Sequence, residues 1–214
     1  MHMEARLEKN ALSTLEDTMM YMGMDSAKAD VKIKNKLIYL INAASAYIET
    51  QTQRKLGQAE YVERHYGSGS QKLCLQQYPI KTVKNVRDID NNASISGYAT
   101  CEDKECGILF REEGWPVRGY PSGLSGDYSR EKRYIEVTYT AGYILPKDGS
   151  DEAPADLPYD LQSAIWDIVQ QQWTLSKNGA KGLQSFSISD VSWTFDKEPS
   201  KQVMSVIEHY MRWS

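Results

Sequence analysis

From Asp30 the chain reads DVKIKNKLIYLINAASAYIET, with Ile33, Leu37, Leu40, Ile41, Ala44, Tyr47 and Ile48 three or four residues apart. That spacing lays one apolar stripe along an α-helix. Asp30 is placed to cap it, because its carboxylate can accept first-turn amides that have no partner inside the helix. The helix is expected to fray around Thr50 to Thr52 and to stop by Gly57. Upstream, Ala11, Leu12, Leu15, Met19 and Met22 predict a shorter helix over 10–24, closed by Gly23. Met19, Met20, Met22 and Met24 read as adaptable core filler.

After Gln58 the period changes to two. Ala59 to Tyr66 and Lys72 to Leu75 flank Gly67-Ser68-Gly69-Ser70, a pattern that predicts a hairpin. Ile80 to Asp90, Gly97 to Thr100, Gly107 to Arg111 and Tyr134 to Tyr139 predict further strands, and the Gly- and Pro-rich span 114–129 predicts a loop. These interruptions suit a small antiparallel sheet or barrel with long loops. Beyond the break at Ala153 to Pro158, Leu161, Ala164, Ile165, Ile168 and Val169 predict a third helix, widened by Trp166 and Trp173. Leu183 to Phe195 is strand-like, but its phase slips at Ser189-Asp190, which calls for a bulge or a tight turn. Pro199 opens a last helix with Val203, Val206, Ile207, Tyr210 and Met211 in its stripe. The fold class is α+β: about four helices forming a core, with an inserted antiparallel β-rich lobe.

At 214 residues the chain suits one domain that needs neither disulfide nor metal to hold it. Three cysteines without framework spacing indicate a reducing compartment. The start, with Glu4 and Glu8, is unlike a signal peptide, and no apolar run reaches membrane length. A net charge of −4 gives no global attraction for nucleic acid. The charge is uneven, however. Lys32, Lys34, Lys36, Arg54 and Lys55 face only Glu49 in one segment, while Asp148, Asp151, Glu152, Asp156 and Asp160 crowd another beside Lys147. Such patches are either solvated faces or complementary surfaces between copies.

Chemistry is harder to find. Cys101 and Cys106 have no second pair and no nearby His, so zinc is not expected. Asp88, Asp90 and Asn92 open like a calcium loop, yet Ala93 stands where Gly is required and Ala99 where Glu is required. His2, His65 and His209 are scattered, and no nucleophile elbow or P-loop is present. Gly179-Ala180-Lys181-Gly182 matches a bare GXXG, but it follows a helix instead of joining two. No catalytic residue, cofactor or metal is expected, although an acid pair assembled from distant positions escapes this kind of reading.

The order of segments carries a resemblance. KLIYLINAASAYIETQTQRKLG, then LCLQQYPIKTVKNV, then Gly114-Trp115-Pro116, then IEVTYTAGY, then DLPYDLQSAIWDIVQQQW resembles the head-tail connector (adaptor) proteins of tailed bacteriophages and prophages. The matched positions include Ala43-Ala44, Ile48-Glu49, Thr52 and Arg54, then Pro79-Ile80, Val83 and Val86, and finally Val137 to Tyr143. The resemblance spans about 30–195, within a single connector-like domain over 1–214, and about 87–133 is an elaboration on it. It implies a structural, non-enzymatic protein of the virion, present in the host cytoplasm during assembly. It also implies a ring homo-oligomer, dodecameric in the virion, between portal protein and tail or tail-completion protein. DNA would pass through that ring without sequence recognition, and no membrane is involved.

On that basis Lys32, Lys36 and Arg54 are expected on one contact face and Asp151, Glu152 and Asp156 on the opposite one. Phe186, Ile188 and Trp193 are expected on a strand pair that either docks on a partner or is an ordinary edge hairpin. The alternative is a glycan- or nucleic-acid-binding module that uses the aromatic β-rich lobe, its middle strands and the loop 114–128, to stack ligands. An enzyme built from scattered acids ranks last.

Overall fold

The computed structural model describes residues 5–101, 106–117, 133–177, 185–188, 191–194 and 199–211, with the backbone alone at 177, 185–188 and 191–194. The chain forms two compact units, one of residues 1–57 with 143–214 and one of residues 58–142.

The first unit is helical: α1 (Leu15–Tyr21), α2 (Val31–Thr52), α3 (Tyr159–Lys177) and α4 (Lys201–His209). Asp30 caps α2 as its sequence predicts, accepting from Ile33 N at 2.7 Å. Gln53 ends the helix by turning left-handed, at φ 54°. Leu37, Ile41, Ala44 and Ile48 of α2 pack with Leu161, Ala164, Ile165 and Val169 of α3 and with Val203 and Ile207 of α4. Helices α2 and α3 run antiparallel. Lys36 near the start of α2 lies over the Trp173 ring late in α3, at 4.6 Å. At the other end, Arg54 Nη1 donates to Tyr210 O at 3.1 Å, and the Tyr210 hydroxyl donates to Asp160 at 2.9 Å.

The helix expected over 10–24 is shorter, beginning after Thr14, whose side chain accepts from Asp17 N at 3.0 Å. Residues 5–12 are instead an arm held along α2. Ala5 N donates to Asn35 Oδ1 (3.1 Å), Glu8 N to Asn42 Oδ1 (3.0 Å) and Leu12 N to Ser45 Oγ (3.0 Å), while Asn42 Nδ2 donates to Arg6 O (2.9 Å). The match is one of length. Seven helical residues rise about 10.5 Å from Asn35 to Asn42, and three extended residues from Ala5 to Glu8 advance about 10 Å. Buried Ala11 and Leu12 fix the inner end. Asn42→Ala should therefore free the outer arm at a cost of about 1 kcal/mol. Amide exchange at Glu8 should quicken while exchange within α2 stays unchanged.

The second unit is made of strands: β1 (Ala59–His65), β2 (Lys72–Cys74), β3 (Ile80–Asp88), β4 (Ala93–Ser94), β5 (Tyr98–Thr100), β6 (Ile108–Arg111) and β7 (Ile135–Ala141). They form one antiparallel sheet in the order β1-β7-β3-β4 and another in the order β2-β6-β5; neither closes into a barrel. Strand β7, flanked on both sides, buries Ile135, Val137, Tyr139 and Ala141. The predicted hairpin across Gly67 to Ser70 does not form, because β1 pairs with β7 and β2 with β6. That glycine-rich stretch meets the segment after β6 instead. Gly69 N donates to Trp115 O at 3.1 Å, and Trp115 N donates to Ser70 O at 2.8 Å.

The last two strands, β8 (Ser185–Ile188) and β9 (Val191–Thr194), pair antiparallel with Phe186 opposite Trp193 and Ile188 opposite Val191. The bulge or tight turn expected at Ser189-Asp190 lies outside the described residues.

Candidate protein interface

Antiparallel packing of α2 and α3 decides where the charged segments lie. Lys32 is exposed and Lys36 half-buried at the start of α2. Asp151 and Glu152 are exposed on the loop that leads into α3, beside the end of α2. From Lys32 to Thr52 the helix rises about 30 Å, so the two signs stand at opposite ends of the helical unit. Lys32, Asp151 and Glu152 have no ion pair among the described residues.

The expected residues are thus partly brought together and partly redirected. Asp156 braces its own loop, its Oδ1 accepting from Ile144 N at 2.6 Å. Lys36 spends its charge on Trp173. Arg54 is the correction: it is 2 % exposed, at the acidic end, and holds the carbonyl of Tyr210. It leaves the basic face because burial with a fixed acceptor takes its guanidinium out of solvent. Phe186, Ile188 and Trp193 are placed by backbone pairing on β8 and β9.

In the second unit the ionisable groups build structure. Glu136 on β7 stands in register with Arg64 on β1 and Arg87 on β3, and accepts from both at 2.9 and 2.6–2.8 Å. Those bonds, Arg87 first, hold its carboxyl below the ordinary glutamate value of 4.5. A lowered folded value means the stabilisation is full above 4.5 and lost as pH falls through the folded value. The melting temperature should drop below about pH 4.5, and Glu136→Gln should flatten that drop.

Tyr139, Glu63 and His65 form a second cluster. The Tyr139 hydroxyl donates to Glu63 and accepts from Gln77 N at 3.1 Å; Glu63 also accepts from Gln76 N and meets His65 Nε2 at 3.1 Å. Burial, then the Glu63 carboxylate, pushes the Tyr139 hydroxyl well up. Burial opposes the charge on Glu63, but His65, Tyr139 and the Gln76 amide outweigh it and hold the carboxyl down. An acid or base working near neutrality needs its pKa moved toward 7. Both groups are moved away from it, as in a brace between strands.

Trp115 is 1 % exposed and stacks on Tyr98 at 6.2 Å between centroids. It is core, so it offers no platform for a base or sugar; residues 118–128 of that predicted loop lie outside the described residues. Among the described residues no group of three His, Cys, Asp or Glu is arranged for a metal ion, and no helix is long and apolar enough to cross a membrane.

The model of the head completion protein family matches residues 11–213. The chain belongs to that family. This head completion protein is therefore a structural protein of virion assembly, and the head-tail connector resemblance read from its segments holds. Its fold is that of three solved chains. One is from the neck of an empty gene transfer agent particle computed with C6 symmetry, at 18% identity, TM-score 0.54, covering 99% of this chain and 95% of that one. Another is from the virion of a native gene transfer agent particle, at 17% identity and TM-score 0.53, with 99% and 95% covered. The third is from the neck of a native particle computed with C12 symmetry, at 17% and 0.51, with 100% and 96% covered. No curated protein sequence matches.

Two features escaped the sequence reading. The clasp for the arm was signalled by Asn35, Asn42 and Glu49, seven residues apart beside the apolar stripe, the last accepting from Asn10 Nδ2 at 3.0 Å. The partnering of Arg54 with α4 had no local signal at all.

Proposed function

We propose that this head completion protein closes into a ring between the portal protein and the tail or a tail-completion protein, twelve copies in the virion, with DNA passing through. It makes and breaks no covalent bond. The observation that carries this is the separation of unpaired opposite charges to the two ends of the α2–α3 pair. An end-to-end contact of that kind is heterologous, and a heterologous contact makes a ring when its rotation closes. The neck chains of similar fold were computed with sixfold and twelvefold symmetry, which supports closure. An acidic chain of net charge −4 also suits a channel, since few cations are available to grip phosphates and retard passage.

The hairpin of β8 and β9, with Phe186, Ile188 and Trp193, is proposed as the element that docks on the next protein in the stack. Assembly takes place in the host cytoplasm and ends in the virion. Sedimentation velocity of the full chain, alone and with the portal protein of its own particle, tests the ring. A species of ring mass that weakens as salt rises is the expected result; a chain that stays monomeric in both settings would refute it.

A further inference from the structure

The first unit carries a cleft that the exposed loop acids do not use. It lies between α3 and α4, about 70 Å³ in volume, floored by Ala164, Val203 and Val206 and rimmed by Asp160, Ser163 and Asp167. The three rim residues recur at steps of three and four, hence on one face of α3. Tyr hydroxyls fix both carboxylates. Tyr210 donates to Asp160 at 2.9 Å, and Tyr21, stacked on Trp166, donates to Asp167 at 2.6 Å. Each carboxylate keeps further lone pairs for another donor.

An apolar floor under two held carboxylates fits an alkylammonium side chain, whose stem covers the floor while its charge meets the rim. The volume is far below the roughly 300 Å³ where small-molecule sites begin. A matching side chain stands on this same chain. Lys32 is exposed and has no ion pair among the described residues, and Val31 beside it is 58% exposed. It cannot serve its own cleft. Lys36 sits over Trp173, so Lys32 lies one turn further from Asp160, which is itself about 20 Å along α3 from Trp173.

We propose that the α3–α4 cleft receives Lys32, with Val31 against its apolar edge, from the next copy of this chain. The inference rests on the ring reading and gives it a socket: the start of α2 of one copy enters between α3 and α4 of its neighbour.

Zero-length carbodiimide coupling of the assembled full chain, followed by peptide mapping, tests it. A Lys32 amide to Asp160 is expected, and its span makes it a link between copies. Lys32→Glu and Ser163→Arg should each raise the concentration for half-assembly about tenfold, and the two together should recover most of that loss. Rings whose links map elsewhere, or whose assembly ignores both variants, overturn the socket and leave the ring standing. Wild-type chain that forms no ring overturns both.

Discussion

Asp151→Lys combined with Glu152→Lys should leave the fold intact and abolish ring formation at concentrations where the unaltered chain assembles. Both residues are exposed, and neither has an ion pair among the described residues, so the monomer loses nothing by their reversal. The effect arises at the contact. An exposed pair is worth about 0.2–1 kcal/mol, and reversing the charge replaces attraction by repulsion of similar size. One such loss is minor; the proposed ring of twelve would repeat it at every contact, so about 1 kcal/mol each becomes about 12 kcal/mol for the ring. Asp156→Lys is a poor substitute for this test, because Asp156 also accepts from Ile144 N and its loss would loosen the loop itself. Light scattering of the double variant against the parent, in low and high salt, reads the result. Assembly equal to the parent in low salt would remove charge from the account of the contact.

Gly67→Ala should destabilise the strand unit by about 3 kcal/mol or more, a larger stability loss than that expected of any other single change considered above. The reason is contact. A Cβ at Gly67 would stand 1.5 Å from the carbonyl oxygen of Pro116 and 2.1 Å from the Tyr134 hydroxyl. The oxygen belongs to backbone and cannot swing aside, and that same oxygen accepts from the Tyr134 hydroxyl at 2.5 Å. The join between the two sheets' loops must open to admit one methyl group. Gly114 stands under the same constraint, with φ +78° and a Cβ position 2.5 Å from Gly69 O. Denaturant unfolding of Gly67→Ala beside Ser68→Ala, a neighbouring change outside this contact, measures the difference. A midpoint equal to that of the parent would contradict the packing described.

What the sequence made legible follows from how local each cause is. The stripe Leu37, Ile41, Ala44, Ile48 and the cap at Asp30 are written within a few residues, and α2 forms as they dictate. Alternation likewise reveals β3 and β7, since the period is a property of each strand alone. Pairing is not local. Nothing in Gly67 to Ser70 says that Trp115 will lie across it, so a hairpin was expected where two sheets diverge. The start of the helix expected over 10–24 differs for a related reason: Ala11, Leu12 and Leu15 have helical spacing, but Asn35, Asn42 and Ser45 on another element hold residues 5–12 along α2, with one turn closed by Ala11 N on Glu8 O. Arg54 shows the same limit at the interface. Its charge is visible in the sequence, while its burial depends on Tyr210, 156 residues away.

The account turns on surfaces of opposite sign at the two ends of one helical unit meeting between copies. Cryo-electron microscopy of the full chain bound to the portal of its own particle addresses that most directly. The predicted image is a closed annulus stacked on the portal, with the start of α2 of each copy against the loop and α3 of the next. An annulus whose neighbours meet through the sheet unit, or single copies scattered on the portal without touching, would contradict it.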